Sequence, residues 1–115
     1  MRDIFVNEFI SLVKKNPKII LITADLGFGS FDEISKSFPD NFLNVGVAEQ
    51  NMIGVAAGMA MLGRIPFCYS IGNFATLRCL EQIRNDAAYH KLPITIVSNG
   101  TNISGLFAFP IIPQP

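Results

Sequence analysis

Apolar residues recur at helical spacing through Ile4, Phe5, Phe9, Leu12 and Val13, and Asn16-Pro17 ends the helix they predict. Lys18 to Thr23 (KIILIT) then runs without polar alternation, as expected of a strand covered on both faces. Ser30-Phe31-Asp32-Glu33 fits a capping box and predicts a short helix ending near Phe38-Pro39. Phe42 to Val45 reads as a second short strand, followed by a helix from about Ala48 to Leu62 with Gly63 as its stop. Ile65 to Ser70 predicts a third strand, and Pro66 near its start costs little because few ladder bonds are lost there. Leu77 to His90 has the pattern of one amphipathic helix carrying Arg78, Glu81, Arg84 and Asp86, and Ile94 to Ser98 reads as a fourth buried strand. Beyond Asn99-Gly100 the periodicity stops, and Phe107, Phe109, Pro110, Ile111, Ile112, Pro113 and Pro115 predict an irregular, proline-rich tail over residues 101–115.

Alternating strands and helices imply parallel strands joined by crossovers, hence an α/β sheet of flavodoxin-like or Rossmann-like layering. A complete doubly wound domain usually has more than four strands, so the expected fold is incomplete. Ligands of such sheets bind beyond the carboxyl ends of the strands. That rule selects Asp25 after the first strand, Gly46 to Glu49 after the second, Ser70 to Phe74 after the third and Ser98 to Gly100 after the fourth. One edge of the sheet thereby collects two carboxylates, an aromatic ring and several small polar residues.

Composition narrows the field. The chain has 115 residues, half of them hydrophobic and 16% charged, which suits one domain with a buried core. Nine basic residues balance nine acidic ones, so there is no electrostatic footprint for nucleic acid or an anionic membrane. The longest nearly apolar stretch, Met52 to Leu62, falls short of the about 20 residues that span a bilayer. The start of the chain is unlike a signal peptide, and Cys68 and Cys79 are spaced for neither a redox dithiol motif nor a zinc site. A cytoplasmic protein with reduced thiols is expected.

Two readings of Glu49 stand at this point. A glutamate in a helix's first turn often does no more than complement the macrodipole, worth roughly 0.3–1 kcal/mol. Alternatively it is a carboxyl group in a desolvated cleft that shares a proton with a ligand nitrogen, and Val45, Val47, Met52, Ile53 and Val55 around it favour burial. Gly54 and Gly58 are spaced like a membrane dimerisation motif on a segment too short for a membrane, and with Ala56 and Ala57 are expected to let this helix approach the sheet or a partner closely. Gly27-Phe28-Gly29-Ser30-Phe31-Asp32 lacks the third glycine of a dinucleotide fingerprint, and no Walker lysine follows. His90, the single histidine, sits late on a helix, where capping is the expected role, and no nucleophile elbow accompanies it.

Asn44-Val45-Gly46-Val47-Ala48-Glu49-Gln50-Asn51-Met52-Ile53-Gly54-Val55-Ala56-Ala57-Gly58-Met59-Ala60 closely resembles the cofactor-activating segment of transketolase and deoxyxylulose-phosphate synthase. Phe74 to Arg84 is similar to a second segment of that family, and Ala24-Asp25-Leu26 to a third, shorter one. The resemblance covers about residues 1–100 and implies the pyrimidine domain of the thiamine diphosphate-binding fold, a three-layer open parallel sheet with helices on both faces. In the family, thiamine diphosphate lies between two domains, usually of two subunits. The resemblance makes Glu49 the catalytic glutamate that hydrogen-bonds the pyrimidine nitrogen, Phe74 the ring that stacks on the pyrimidine, and Asp25 an acidic residue near the cofactor.

The family's Gly-Asp-Gly metal motif is absent, so the resemblance assigns no metal site to this chain and leaves magnesium to a partner subunit carrying the diphosphate domain. It implies ketol transfer between sugars by a homo- or hetero-oligomer, with little or no activity in this chain alone. A deoxyxylulose-phosphate synthase-like or oxo-acid dehydrogenase-like role stays open within the same chemistry. A non-catalytic interaction module, or a truncated remnant of the fold, is the alternative from another class.

Overall fold

The computed structural model describes residues 2–27, 29–99 and 106–110. Helix α1 (Arg2–Lys15) leads into strand β1 (Ile19–Thr23), followed by α2 (Asp32–Ser37), β2 (Phe42–Asn44), α3 (Glu49–Met61) and β3 (Ile65–Ile71). A further helical region follows, then β4 (Thr95–Asn99) and β5 (Leu106–Pro110). The sheet order is β2-β1-β3-β4-β5. The first four strands are parallel, with Ile22 opposite both Leu43 and Cys68, and Ser70 opposite Ser98.

The run in β1 is buried along its whole length because the sheet is covered on both sides. Ile20 and Ile22 face α3, packing with Met52, Ile53, Ala56, Ala57 and Ala60. Ile19 and Leu21 face the other way, into a layer with Val6, Phe9 and Val13 of α1 and Ile34 of α2. The period of two thus divides one apolar strand between two cores. Burying each of the larger of these side chains contributes roughly 1.5–3 kcal/mol, and each alanine less. Aromatic edges lock the second core: Phe31 meets Tyr69 at 4.7 Å between centroids and 90°, and Phe9 meets Phe67 at 5.6 Å and 83°.

Gly63, at φ +93°, stops α3 as expected. Its N–H donates to the Ala60 carbonyl at 3.0 Å and that of Arg64 to Met59 at 3.0 Å, the paired bonds of a Schellman ending. Arg64 then ties the turn down, donating to the Lys18 and Asp40 carbonyls.

Four expectations are corrected. The residues from Leu77 to Ala88 do not form one α-helix: a 3₁₀ turn at Leu77–Cys79 passes through an α turn, α4 (Leu80–Gln82), into a π-helical turn at Ile83–Ala88. Tyr89 and Leu92 accordingly bond back five residues, to Arg84 and Ala87. The capping box at Ser30 does not form as expected, since α2 begins after Phe31 with no side-chain cap hydrogen bond. Asp32 instead accepts the Gly29 N–H. Of the small residues of α3 the alanines make the approach to the sheet as expected, but Gly54 and Gly58 take no part in it, because both are exposed. Finally, Leu106–Pro110 lies within the stretch expected to be irregular but forms β5, antiparallel to β4 with Ile96 opposite Phe109. The remainder of that stretch lies outside the described residues. Among the described residues no helix is long and apolar enough to cross a membrane.

Candidate functional site

The carboxyl ends of β1, β2 and β3 deliver three loops to one rim of the sheet. After β2 the chain turns at Gly46, whose φ of +78° is left-handed backbone that a glycine adopts without cost. The Ala48 N–H then donates to the Gly46 carbonyl at 2.8 Å, and α3 starts at Glu49. The tight turn aims Glu49 inward, leaving its side chain only 6% exposed although it sits at a helix start on the rim. The partial positive charge of the helix N-terminus suits a carboxylate there.

The third loop supplies the facing wall. Gly72–Phe74 forms a short 3₁₀ turn after β3. It is braced from below: buried Ser98 and Thr76 both donate hydroxyls to the Gly72 carbonyl, and Cys79 donates its thiol to the carbonyl of Phe74. Phe74 is 40% exposed, so its ring is presented at the rim rather than packed away. Arg78, four residues on in a separate 3₁₀ turn, places its guanidinium carbon 3.9 Å from the centre of that ring. The same guanidinium reaches Glu49, with Nη1 3.4 Å from Oε2. Gln50 closes the junction by donating to the Arg78 carbonyl. Val47 to Asn51 and Arg78 line a cavity of about 360 Å³ open to solvent.

Burial pushes the Cys79 thiol up to about 11, with the Glu49 carboxylate adding to the rise and Arg78 opposing it. Burial likewise pushes Cys68 up. Both are neutral core thiols near neutral pH, unsuited to nucleophilic work.

Asp25 occupies a different part of the rim. It adopts φ +58°, a left-handed conformation that Asp tolerates, and is held by Asn44 at the end of β2. Glu49 and Phe74 are therefore brought together through Arg78, while Asp25, among the described residues, has no such link and does not line the cavity. His90 lies outside the site, its Nδ1 3.1 Å from the Asp86 carbonyl one turn back.

The sequence model of the transketolase pyrimidine-binding domain matches residues 1–105. The chain belongs to that family. A protein of Methanocaldococcus jannaschii described as a transketolase C-terminal section is 44% identical over 105 residues, covering 90% of this chain and 33% of the relative. A 6-deoxy-6-sulfo-D-fructose transketolase subunit of a Clostridium species is 37% identical over 105 residues, with the same coverage of 90% and 33%. The 1-deoxy-D-xylulose-5-phosphate synthase of Clostridium perfringens is 35% identical over 102 residues, covering 88% of this chain and 16% of the synthase. Among solved structures, a split-gene transketolase in an inactive beta4 tetramer superposes with a TM-score of 0.73 at 41% identity, covering 80% of this chain and 31% of that one. The chain thus spans about a third of the length of its transketolase-section relatives.

The rim fits the pyrimidine end of thiamine diphosphate. A carboxyl group almost removed from water lines a cavity roomy enough for a single flat ring, and the half-exposed Phe74 ring lies behind the Arg78 guanidinium that lines it too. The diphosphate end finds no comparable fit. Among the described residues no three His, Cys, Asp or Glu side chains gather to hold a metal, and Arg78 is the one cation lining the cavity.

Arg78 and Asn44 were not singled out as site residues from the sequence. For Arg78 the sequence offered only a cation four positions after an aromatic residue, on what the structure makes a separate 3₁₀ turn. For Asn44 the signal was the Asn-x-Gly turn, where the side chain accepts the N–H two residues on, here at 2.9 Å.

Proposed function

We propose that this chain is the pyrimidine-binding half-site of a transketolase-like, thiamine diphosphate-dependent enzyme that transfers a two-carbon ketol unit between sugars. The observation that carries the reading is the burial of Glu49 at the lip of a cavity that Arg78 also lines, with the Arg78 guanidinium lying over the Phe74 ring. Glu49 is the catalytic residue, its carboxyl group positioned to share a proton with the pyrimidine ring nitrogen. Phe74 offers a face for stacking, and the turn at Gly46 and the brace on Gly72 hold both groups in place. Asp25 serves at the cofactor's border through the loop that Asn44 fixes. Bound thiamine diphosphate would supply the electron sink that ketol transfer needs.

A partner subunit bearing the diphosphate domain supplies the magnesium and the phosphate donors, and the working enzyme is a homo- or hetero-oligomer in the cytoplasm. Support comes from the subunit and split-gene character of the relatives and from the lack, among the described residues, of any cluster of His, Cys, Asp or Glu able to hold a metal. Glu49→Gln in the partner-bound enzyme tests the assignment. The amide nearly preserves volume but cannot share the proton, so turnover with saturating cofactor should fall by about 10²–10⁴ while the melting temperature barely moves. Unchanged turnover would remove Glu49 from the chemistry.

A further inference from the structure

We infer that Arg78 covers the pyrimidine site when no ligand is present, standing in for the aminopyrimidine against both Glu49 and Phe74 until the ring displaces it. The inference rests on the half-site reading and deepens it, because one side chain occupies both surfaces to which that reading assigns the ring. Its guanidinium is planar, lies 3.9 Å from the centre of the Phe74 ring, and reaches the Glu49 carboxylate at 3.4 Å. A flat cation stacked on an aromatic face and pointing N–H groups at a carboxylate imitates a flat aminopyrimidine doing the same.

The cover answers an electrostatic need. Glu49 is nearly withdrawn from water, and an unpaired buried carboxylate is costly, so a counter-ion stabilises the ligand-free chain. The geometry also makes the cover removable. The 3.4 Å separation is longer than an ordinary N–H···O bond, and the Arg78 side chain is 47% exposed on the solvent side of the cavity. Its backbone is fixed separately, by Gln50 donating to the Arg78 carbonyl, so the side chain can swing outward without disturbing the helical turn. Among the described residues, its side chain makes no polar contact besides Glu49.

A cover of this kind lowers apparent affinity by the fraction of molecules left open. If about a tenth of the molecules are uncovered, removing the guanidinium raises affinity about tenfold. The probe is the neutral hydroxymethyl aminopyrimidine that forms one half of thiamine, chosen because it has no phosphate and no cationic thiazolium to interact with Arg78 by charge. It would be titrated into the full chain and into Arg78→Ala, with binding read from NMR shifts of the Val47 to Asn51 amides. The expected result is binding about tenfold tighter to Arg78→Ala, and loss of that gain in Arg78→Ala combined with Glu49→Gln. Should Arg78→Ala melt early, Arg78→Lys, which keeps the stem and the charge but not the planar stack, should move affinity in the same direction.

Equal or weaker binding to the variants, with the wild type still shifting Glu49 and its neighbours, would overturn the cover and leave the half-site standing. Absence of shifts in every form up to the probe's solubility would overturn the half-site reading and the cover with it.

Discussion

Asp25 and Asn44 hold one another reciprocally across the rim: the Asp25 N–H donates to Asn44 Oδ1 at 2.9 Å, and Asn44 Nδ2 donates to Asp25 Oδ1 at 3.0 Å. Asn44 Oδ1 also accepts the Gly46 N–H at 2.9 Å. One amide therefore links the loop after β1 to the turn that launches Glu49. Asn44→Ala should cost about 1–2 kcal/mol, because three bonds are lost but the freed groups are exposed and can turn to water. Asn44→Asp keeps the two accepted bonds and sets a carboxylate against that of Asp25, so its deficit should be larger at neutral pH than under acid conditions. Urea unfolding at both pH values measures this, and an unchanged midpoint for Asn44→Ala would show that the link contributes nothing.

The exposed glycines of α3 give a prediction of opposite sign. A Cβ at Gly58 would meet no atom within 4 Å, and φ there is not left-handed. Gly58→Ala should stabilise the isolated chain by roughly 0.5–1 kcal/mol through helix propensity. A thermal melt should rise by a few degrees, and a lower melting temperature would mean that the site is not open. If Gly58→Ala also weakens assembly with a partner subunit, that face of α3 lies in the interface.

Cys79 titrates at about 11, above the ordinary thiol value of about 8.5, because burial favours the neutral form. The folded state thus holds its proton more tightly than the unfolded one. The resulting stability is fully present below about pH 8.5 and is lost as pH rises toward 11. Iodoacetamide at pH 8.5 should label Cys79 far more slowly in the folded chain than in urea. Equal rates would contradict the burial.

Phe74 separates two roles by its exposure. A buried phenylalanine replaced by alanine typically costs about 3–5 kcal/mol. At 40% exposure Phe74 should cost well below that range, while Phe74→Ala weakens binding of the neutral aminopyrimidine and Phe74→Tyr preserves it. A strongly destabilised Phe74→Ala with normal pyrimidine affinity would return the ring to the core.

The sequence made the four parallel strands legible because buried strands such as KIILIT cannot be written with polar residues. β5 escaped because an edge strand is held by backbone bonds to β4, which leave no apolar period, and Pro110 sits at its last position, where a proline is tolerated. The π-helical turn escaped for a related reason: Ile83 and Ala87 keep a four-residue spacing that fits an α-helix equally well. In the site, burial of Glu49 was foreshadowed by its apolar neighbours. Its pairing with Arg78, 29 positions away, and the grip of Asn44 on Asp25, 19 positions away, depend on loops that only the sheet brings together.

The central claim is that this chain is half of a cofactor site. On the proposed reading Glu49 and Phe74 address the pyrimidine, whereas the diphosphate needs a metal, and among the described residues no cluster of three His, Cys, Asp or Glu side chains gathers to hold one. Calorimetry with thiamine diphosphate and magnesium, on the chain alone and then with a subunit carrying the diphosphate domain, tests it most directly. The account predicts no micromolar binding to the chain alone and clear binding once the partner is present, weakened by Phe74→Ala. Micromolar binding by the well-folded lone monomer would contradict it.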